Sequence, residues 1–270
     1  FNMLKKLQFS QKEFISLFKF CNSLKVEFCA SFFDVESLSL IKKLKIKRIK
    51  IPSGEITNFI LLKKIAKLKK KIIMSTGMSS IKEINDAITT LNTYGTKLKD
   101  ITLLHCNSEY PSPYRDVNLL AMEKLGKKFK TSFGYSDHTN GIEVSIAAAA
   151  MGAKVIEKHL TLNKNSEGPD HIASIEPDEF KKLVNSIRNI EVSLGSDKKK
   201  ITNSEKKNRI AARKSIVASK NILRREKFSF NNISVKRPGN GLSPFLIPKI
   251  IGKKAKKNIK AKVPILKNFF

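Results

Sequence analysis

Apolar positions along this chain follow two rhythms. Short runs of aliphatic and β-branched residues recur at intervals of roughly 22 to 30 residues, the repeat of strand–helix units. They are Val26–Ser31, Arg48–Ser53, Lys71–Thr76, Ile101–Cys106, Thr131–Ser136 and Val155–Thr161. Between several of them the apolar spacing changes to that of a helix. Ser80-Ile-Lys-Glu83 has the form of a helix-starting box, followed by Ile84, Ile88 and Leu91 on one face and Gly95 as the stop. Pro177, Asp178 and Glu179 open another helix, with Phe180, Leu183, Val184, Ile187 and Ile190 on its apolar face and Gly195 at its end. Repeated strand–helix units predict a parallel sheet.

Polar residues decide between an open sheet and a barrel. Lys50, Ser53, Glu55, Ser75, Thr76, His105, Asn107, Ser136, His138 and His159 all lie in or just past the C-terminal ends of the six runs. A (β/α)₈ barrel gathers such residues from many strands onto one face, whereas an open sheet concentrates them at one switch point. A barrel is therefore expected, with only six of its eight units visible. After Gly195 the character changes. Residues 196–213 are polar and charged and read as a linker or solvated helix. Residues 214–270 hold short β-like pieces (Ser215–Ala218, Lys227–Phe230, Ile233–Lys236) and the turn-rich Arg237-Pro-Gly-Asn-Gly241, which reads as a separate small module.

Charge changes this picture less than its size suggests. The chain has 270 residues, 41% of them hydrophobic, and a formal net charge of +30. That balance raises the question of a nucleic-acid or membrane partner. The lysines, however, fall where helices face water (Lys42, Lys43, Lys63, Lys64, Lys67, Lys69 to Lys71) and form no stripe interleaved with aromatics. Neither partner is expected; attraction for small anionic substrates survives. No apolar run approaches the ~20 residues of a membrane span. Cys21, Cys29 and Cys106 form no spaced pair, so free thiols in a reducing cytoplasm are expected.

The chemistry concentrates in two stretches, Gly134-Tyr-Ser-Asp-His-Thr-Asn-Gly141 and Glu157-Lys-His-Leu-Thr161, with Gly168-Pro-Asp-His171 close behind. Imidazoles at neighbouring strand ends can converge on one divalent metal ion. A strand-end histidine can equally be structural. His105, inside an apolar run, reads as a hydrogen-bonded wall residue, and His171 as loop or supporting chemistry. Arg237-Pro-Gly can be a plain turn.

Seven motifs in order resemble the sialic acid synthases, including the closely related legionaminic acid synthases. They are Arg48-Ile-Lys-Ile-Pro-Ser-Gly-Glu55, Met74-Ser-Thr-Gly-Met78, Leu104-His-Cys-Asn-Ser-Glu-Tyr-Pro-Ser-Pro-Tyr114, Tyr135-Ser-Asp-His138, Glu157-Lys-His159, Gly168-Pro-Asp170 and Val235-Lys-Arg-Pro-Gly-Asn-Gly241. The resemblance implies a transferase that condenses phosphoenolpyruvate with the open-chain aldehyde of an N-acylmannosamine-type sugar, giving a nine-carbon 2-keto acid and phosphate. It implies a TIM barrel (residues 1–195), a linker (196–213) and an antifreeze-like SAF domain (214–270), paired as a domain-swapped homodimer in the cytoplasm. His138 and His159 would hold Mn²⁺ or Mg²⁺, with two imidazoles favouring Mn²⁺. Lys50 would counter phosphate or carboxylate, with Ser53, Ser75, Thr76 and Ser136 as hydroxyl donors and Asn107 or Ser108 adding another. Glu55, Tyr110 and Asp170 fall on the sugar side, Glu55 also as a candidate for proton transfer. Arg237 would reach the partner's N-acyl group.

One departure bears on activity. The family carries Glu-Ile-Gly-x-Asn-His-x-Gly on its first strand and Lys-x-Gln on its second, and neither occurs here. Phe1-Asn-Met-Leu-Lys-Lys-Leu corresponds to family sequence after the second strand. The expectation is a barrel without its first two βα units, from a truncated record or a split gene. The alternative to an enzyme is an inactive or sugar-phosphate-binding remnant that needs a separate N-terminal piece.

Overall fold

The computed structural model describes residues 8–168 and 170–270. The comparison drawn on Phe1 to Leu7, and Pro169 of the Gly168-Pro-Asp motif, lie outside the described residues. The chain divides into two compact units, Phe1–Gly195 and Ser196–Phe270.

In the first unit six strands form one curled parallel sheet whose spatial order is the chain order. They are β1 (Ala30–Ser31), β2 (Arg48–Ile51), β3 (Lys71–Ser75), β4 (Ile101–His105), β5 (Ser132–Asp137) and β6 (Ile156–Lys158). Period-two alternation sorts each strand's side chains between two faces. Ile49 and Ile51 are sealed from solvent in the main core, while Lys50 between them turns to the opposite face and meets Ser75. Ile72, Met74 and Leu103 extend the same apolar layer, which packs on Leu62, Ile65, Ile84, Ile88 and Leu91 of the surrounding helices. Each such aliphatic side chain contributes about 1.5–3 kcal/mol by leaving water.

The helices start as the residue pattern predicts. Ser80 Oγ accepts from Glu83 N (3.3 Å) and Glu83 Oε2 accepts from Ser80 N (2.7 Å), opening the helix Ile81–Thr93. Helix Pro177–Leu194 begins on its proline and stops at Gly195, whose φ of +54° suits glycine. One glycine inside a strand has a steric cause. A Cβ on Gly134 would overlap the Val155 carbonyl oxygen and lie 2.8 Å from Leu104 Cδ2. Only the missing side chain lets the run before β6 close on β5.

Two strands are shorter than the apolar runs predict. The Val26–Ser31 run pairs only at Ala30 and Ser31, because β1 has a neighbour on one side alone among the described residues, and Val26 is exposed. The Val155–Thr161 run is ladder only at Ile156–Lys158, after which Leu160 bridges to Ile175. No helix among the described residues is long and apolar enough to cross a membrane.

The second unit has its own core of Ile216, Ile222, Phe228, Ile233, Ile250, Ile259, Ile265 and Phe269. An antiparallel pair, β7 (Ser215–Ala218) with β8 (Ile233–Lys236), forms its small sheet. The third short piece pairs at one bridge, Lys227 with Lys254. Within 196–213 a fully exposed helix, Asn203–Ala212, is capped by Thr202 and Glu205.

Candidate functional site

The site grows from the last turn of ladder between β5 and β6. Their register pairs Ser136 with Glu157 and Asp137 with Lys158. Alternation then splits the two motifs. Ser136 and His138 share one face of β5, and Glu157 and His159 share the same face of β6. Asp137 and Lys158 point to the other face.

On the first face lies a connected polar chain. Ser136 Oγ donates to Glu157 Oε1 at 2.7 Å, and Glu157 Oε2 lies 3.3 Å from Lys50 Nζ. Lys50 Nζ also donates to Ser75 Oγ at 2.7 Å. Lys50 is buried, and a charge removed from water needs such partners. His138 Nδ1 is 2.5 Å from the Asn107 carbonyl oxygen. A carbonyl only accepts, so Nδ1 carries the proton and Nε2 presents its lone pair. Burial lowers the His138 pKa from the ordinary imidazole value, which favours that neutral form. Ser136 lies 3.3 Å from Nε2, but its one proton goes to Glu157, so among the described residues Nε2 is left without a donor on the face that it shares with His159.

The two imidazoles meet. Their ring centroids are 5.2 Å apart and nearly perpendicular, at 81°. Tyr110 stacks on His138 at 4.0 Å and stands 5.3 Å from His159. Burial pushes its phenol up to about 12, so the hydroxyl is a neutral donor. Asp170 Oδ2 sits 3.6 Å from His159 Nδ1.

The donor set fits a divalent ion only in part. Two imidazoles converge, one with a free Nε2 lone pair and a carbonyl fixing its far nitrogen, as in ligating histidines. Among the described residues no group of three or more His, Cys, Asp or Glu side chains gathers to complete a cage. An ion held here would take its other ligands from water or substrate oxygens.

Other residues singled out by sequence are placed differently. Ser53 Oγ accepts from Gly77 N at 3.0 Å and lies 3.4 Å from Cys106 Sγ. Ser108 joins that second cluster, because a Cβ on Gly77 would run into its hydroxyl and approach both Cys106 and Ser53 at 3.0 Å. Thr76 Oγ1 donates to the Leu104 carbonyl at 2.9 Å, which uses its one proton on backbone. Asn107 contributes its carbonyl to His138; its side-chain oxygen accepts from Glu109 N at 2.7 Å. Glu55, on the short turn Ser53–Glu55, accepts from Asn58 Nδ2 at 2.7 Å. Arg237 belongs to the second unit, where its Nε donates to the Ala212 carbonyl at 2.9 Å. His105 Nε2 meets the Val117 carbonyl at 2.8 Å, the wall contact read from its apolar run. His171 Nδ1 lies 2.6 Å from Thr161 Oγ1.

Sequence reasoning missed Glu157, the residue that joins Lys50 to Ser136. The signal was available: Ser-x-His and Glu-x-His share one spacing, so whatever face the histidines take, Ser136 and Glu157 take too. It also missed Asp137 and Lys158, sealed behind the histidines at 3.1 Å.

Comparison with known proteins shows the family. The model of the NeuB family matches residues 1–199, and that of the SAF domain matches residues 213–270. The N,N'-diacetyllegionaminic acid synthase of Campylobacter jejuni is 51% identical over 261 residues, covering 96% of this chain and 77% of that protein. The enzyme of the same name from Legionella pneumophila is 43% identical, covering 98% and 75%. The crystal structure of N-acetylneuraminic acid synthetase from Leptospira borgpetersenii, in complex with citrate, is 36% identical with a TM-score of 0.71, covering 77% of this chain and 72% of that one. With its first unit matched throughout and its relatives aligned across both units, the chain belongs to the NeuB family and carries a SAF domain.

Proposed function

We propose that the protein is a sugar-acid synthase that joins phosphoenolpyruvate to the open-chain aldehyde of an N-acylmannosamine-type sugar, taking up water and releasing phosphate. The observation that carries this reading is the polar chain Ser75–Lys50–Glu157–Ser136 running up to the paired imidazoles at one end of the sheet. Lys50 supplies a fixed positive charge, and Ser75 a hydroxyl donor, for a carboxylate or phosphate, while Ser136 spends its proton on Glu157 and holds that carboxylate in place. Ser53 and Ser108 offer further hydroxyls beside Gly77. Thr76 and Asn107 act through what they hold in place. Tyr110 donates a hydrogen bond to the sugar, and Asp170 and Glu55 accept from its hydroxyls, with Glu55 the residue for proton transfer. His138 and His159 would hold Mn²⁺ or Mg²⁺, which would supply Lewis acidity to the condensation.

The wider reading follows from the same family. The six-stranded parallel sheet is part of a (β/α)₈-type barrel. Residues 196–213 link it to the SAF domain (214–270), and a homodimer brings Arg237 to the partner's sugar in the cytoplasm. The 51% identity to a legionaminic acid synthase favours a 2,4-diacetamido-2,4,6-trideoxy sugar over N-acetylmannosamine.

The test is calorimetric titration of the chain with Mn²⁺ and with phosphoenolpyruvate, followed by phosphate release with each sugar. Binding of both ligands and turnover of the diacetamido sugar support the proposal, as does loss of Mn²⁺ binding in the His138→Ala, His159→Ala double variant. Binding without turnover supports the sugar-phosphate-binding alternative. A chain that binds neither ligand defeats both.

A further inference from the structure

Behind the histidines, on the opposite face of β5 and β6, lies a further polar cluster closed to solvent. Asp137 and Lys158 pair in register across β5 and β6, with side chains 0% and 1% exposed. Every lone pair in reach is used. Asp137 Oδ1 accepts from Thr139 N (2.9 Å) and Thr139 Oγ1 (2.8 Å), and Oδ2 accepts from Ser145 Oγ (2.5 Å) and Lys158 Nζ (3.1 Å). Lys158 Nζ also donates to the Thr139 carbonyl at 2.5 Å. Thr139 and Ser145 are buried as well.

The placement of this cluster is more informative than its energy. It grips the chain at residue 137 before His138 and at residue 139 after it. It anchors both to Ser145 of the helix Glu143–Ala150. On the neighbouring strand it grips residue 158, immediately before His159. A buried ion pair adds little net stability over apolar residues of the same size, because desolvation offsets the attraction. What such a pair can supply is directional: both partners must keep one geometry, a role attested for buried polar groups in some proteins.

We propose that Asp137 and Lys158 are positioning residues, whose clamp between β5, the turn after it and β6 sets the separation and aim of the His138 and His159 rings. The proposal rests on the functional reading above for what the rings hold, but concerns how they are held.

The test uses the full chain with Asp137→Asn and Lys158→Met together. Asparagine keeps the acceptor for Thr139, and the double change leaves no lone buried charge. We expect a thermal midpoint close to wild type, Mn²⁺ affinity reduced ten- to a hundredfold, and shifted side-chain ¹⁵N resonances of His138 and His159 with those of His105 unmoved. Unchanged affinity with unmoved His138 and His159 resonances would overturn the proposal. If the double variant fails to fold, Ser145→Ala keeps the ion pair but removes the helix anchor, and the same two measurements decide. If wild type takes up no Mn²⁺, the functional reading fails on that result, and the imidazole resonances of the variant alone still decide the positioning role.

Discussion

Asp137 and Lys158 approach to 3.1 Å in a region closed to solvent, each one residue ahead of a cleft histidine. Removing one partner leaves a buried charge without compensation. Lys158→Met alone should therefore lower unfolding free energy by about 3–5 kcal/mol. Adding Asp137→Asn should recover most of that loss. Urea denaturation of the single and double variants measures both, and an additive double variant would contradict the pairing.

Lys50 reaches Ser75 and Glu157 from beneath the cleft. A charged hydrogen bond to a substrate anion is worth about 1.5–3 kcal/mol. Lys50→Met should then weaken phosphoenolpyruvate binding about ten- to a hundredfold and leave sugar binding unchanged. Equal losses for both ligands would mean that Lys50 serves the fold alone.

Gly134 and Gly54 make a matched contrast. A methyl group at 134 meets backbone that cannot turn aside, whereas at 54 nothing lies within 4 Å and φ is not positive. Gly134→Ala should cost about 1–3 kcal/mol or more; Gly54→Ala should be near neutral. Thermal unfolding of the two variants checks the difference.

His105 gives a pH dependence of known sign. Burial holds its pKa below the ordinary imidazole value of 6.5, so the unfolded chain takes up a proton more readily than the folded one. Its contribution to stability is complete above about pH 6.5 and declines as pH falls towards the folded-state value. His105→Gln should flatten that part of the slope, read from urea midpoints on either side of neutrality. An identical slope in the variant would place the titration elsewhere.

Much of this was legible in the residues. The Arg48–Ser53 run told where β2 lies, and the Ser80–Glu83 box told where a helix starts. The histidine pair was legible because both flanking motifs end β-rich runs. The partners of Lys50 were not. Glu157 reads locally as one charge among many, and only the Ser136–Glu157 register brings it beneath the cleft. The roles of Thr76 and Asn107 depended on where a backbone carbonyl happened to lie, which residue type does not encode. Strand ends failed for a related reason: a run with a neighbour on one side pairs less of its length than its composition allows.

The order of the sheet has a consequence for synthesis of the chain. Each strand from β2 to β6 bonds to the one made just before it. During translation a newly emerged strand of this sheet therefore finds its template already in place. Ladder growth can proceed one unit at a time, in the direction in which the ribosome reads, with a single short loop closure per step. Within this sheet the last ladder to form is the one that carries Ser136, Asp137, Glu157 and Lys158, so Glu157 reaches Lys50 only after β2 to β5 have been laid down.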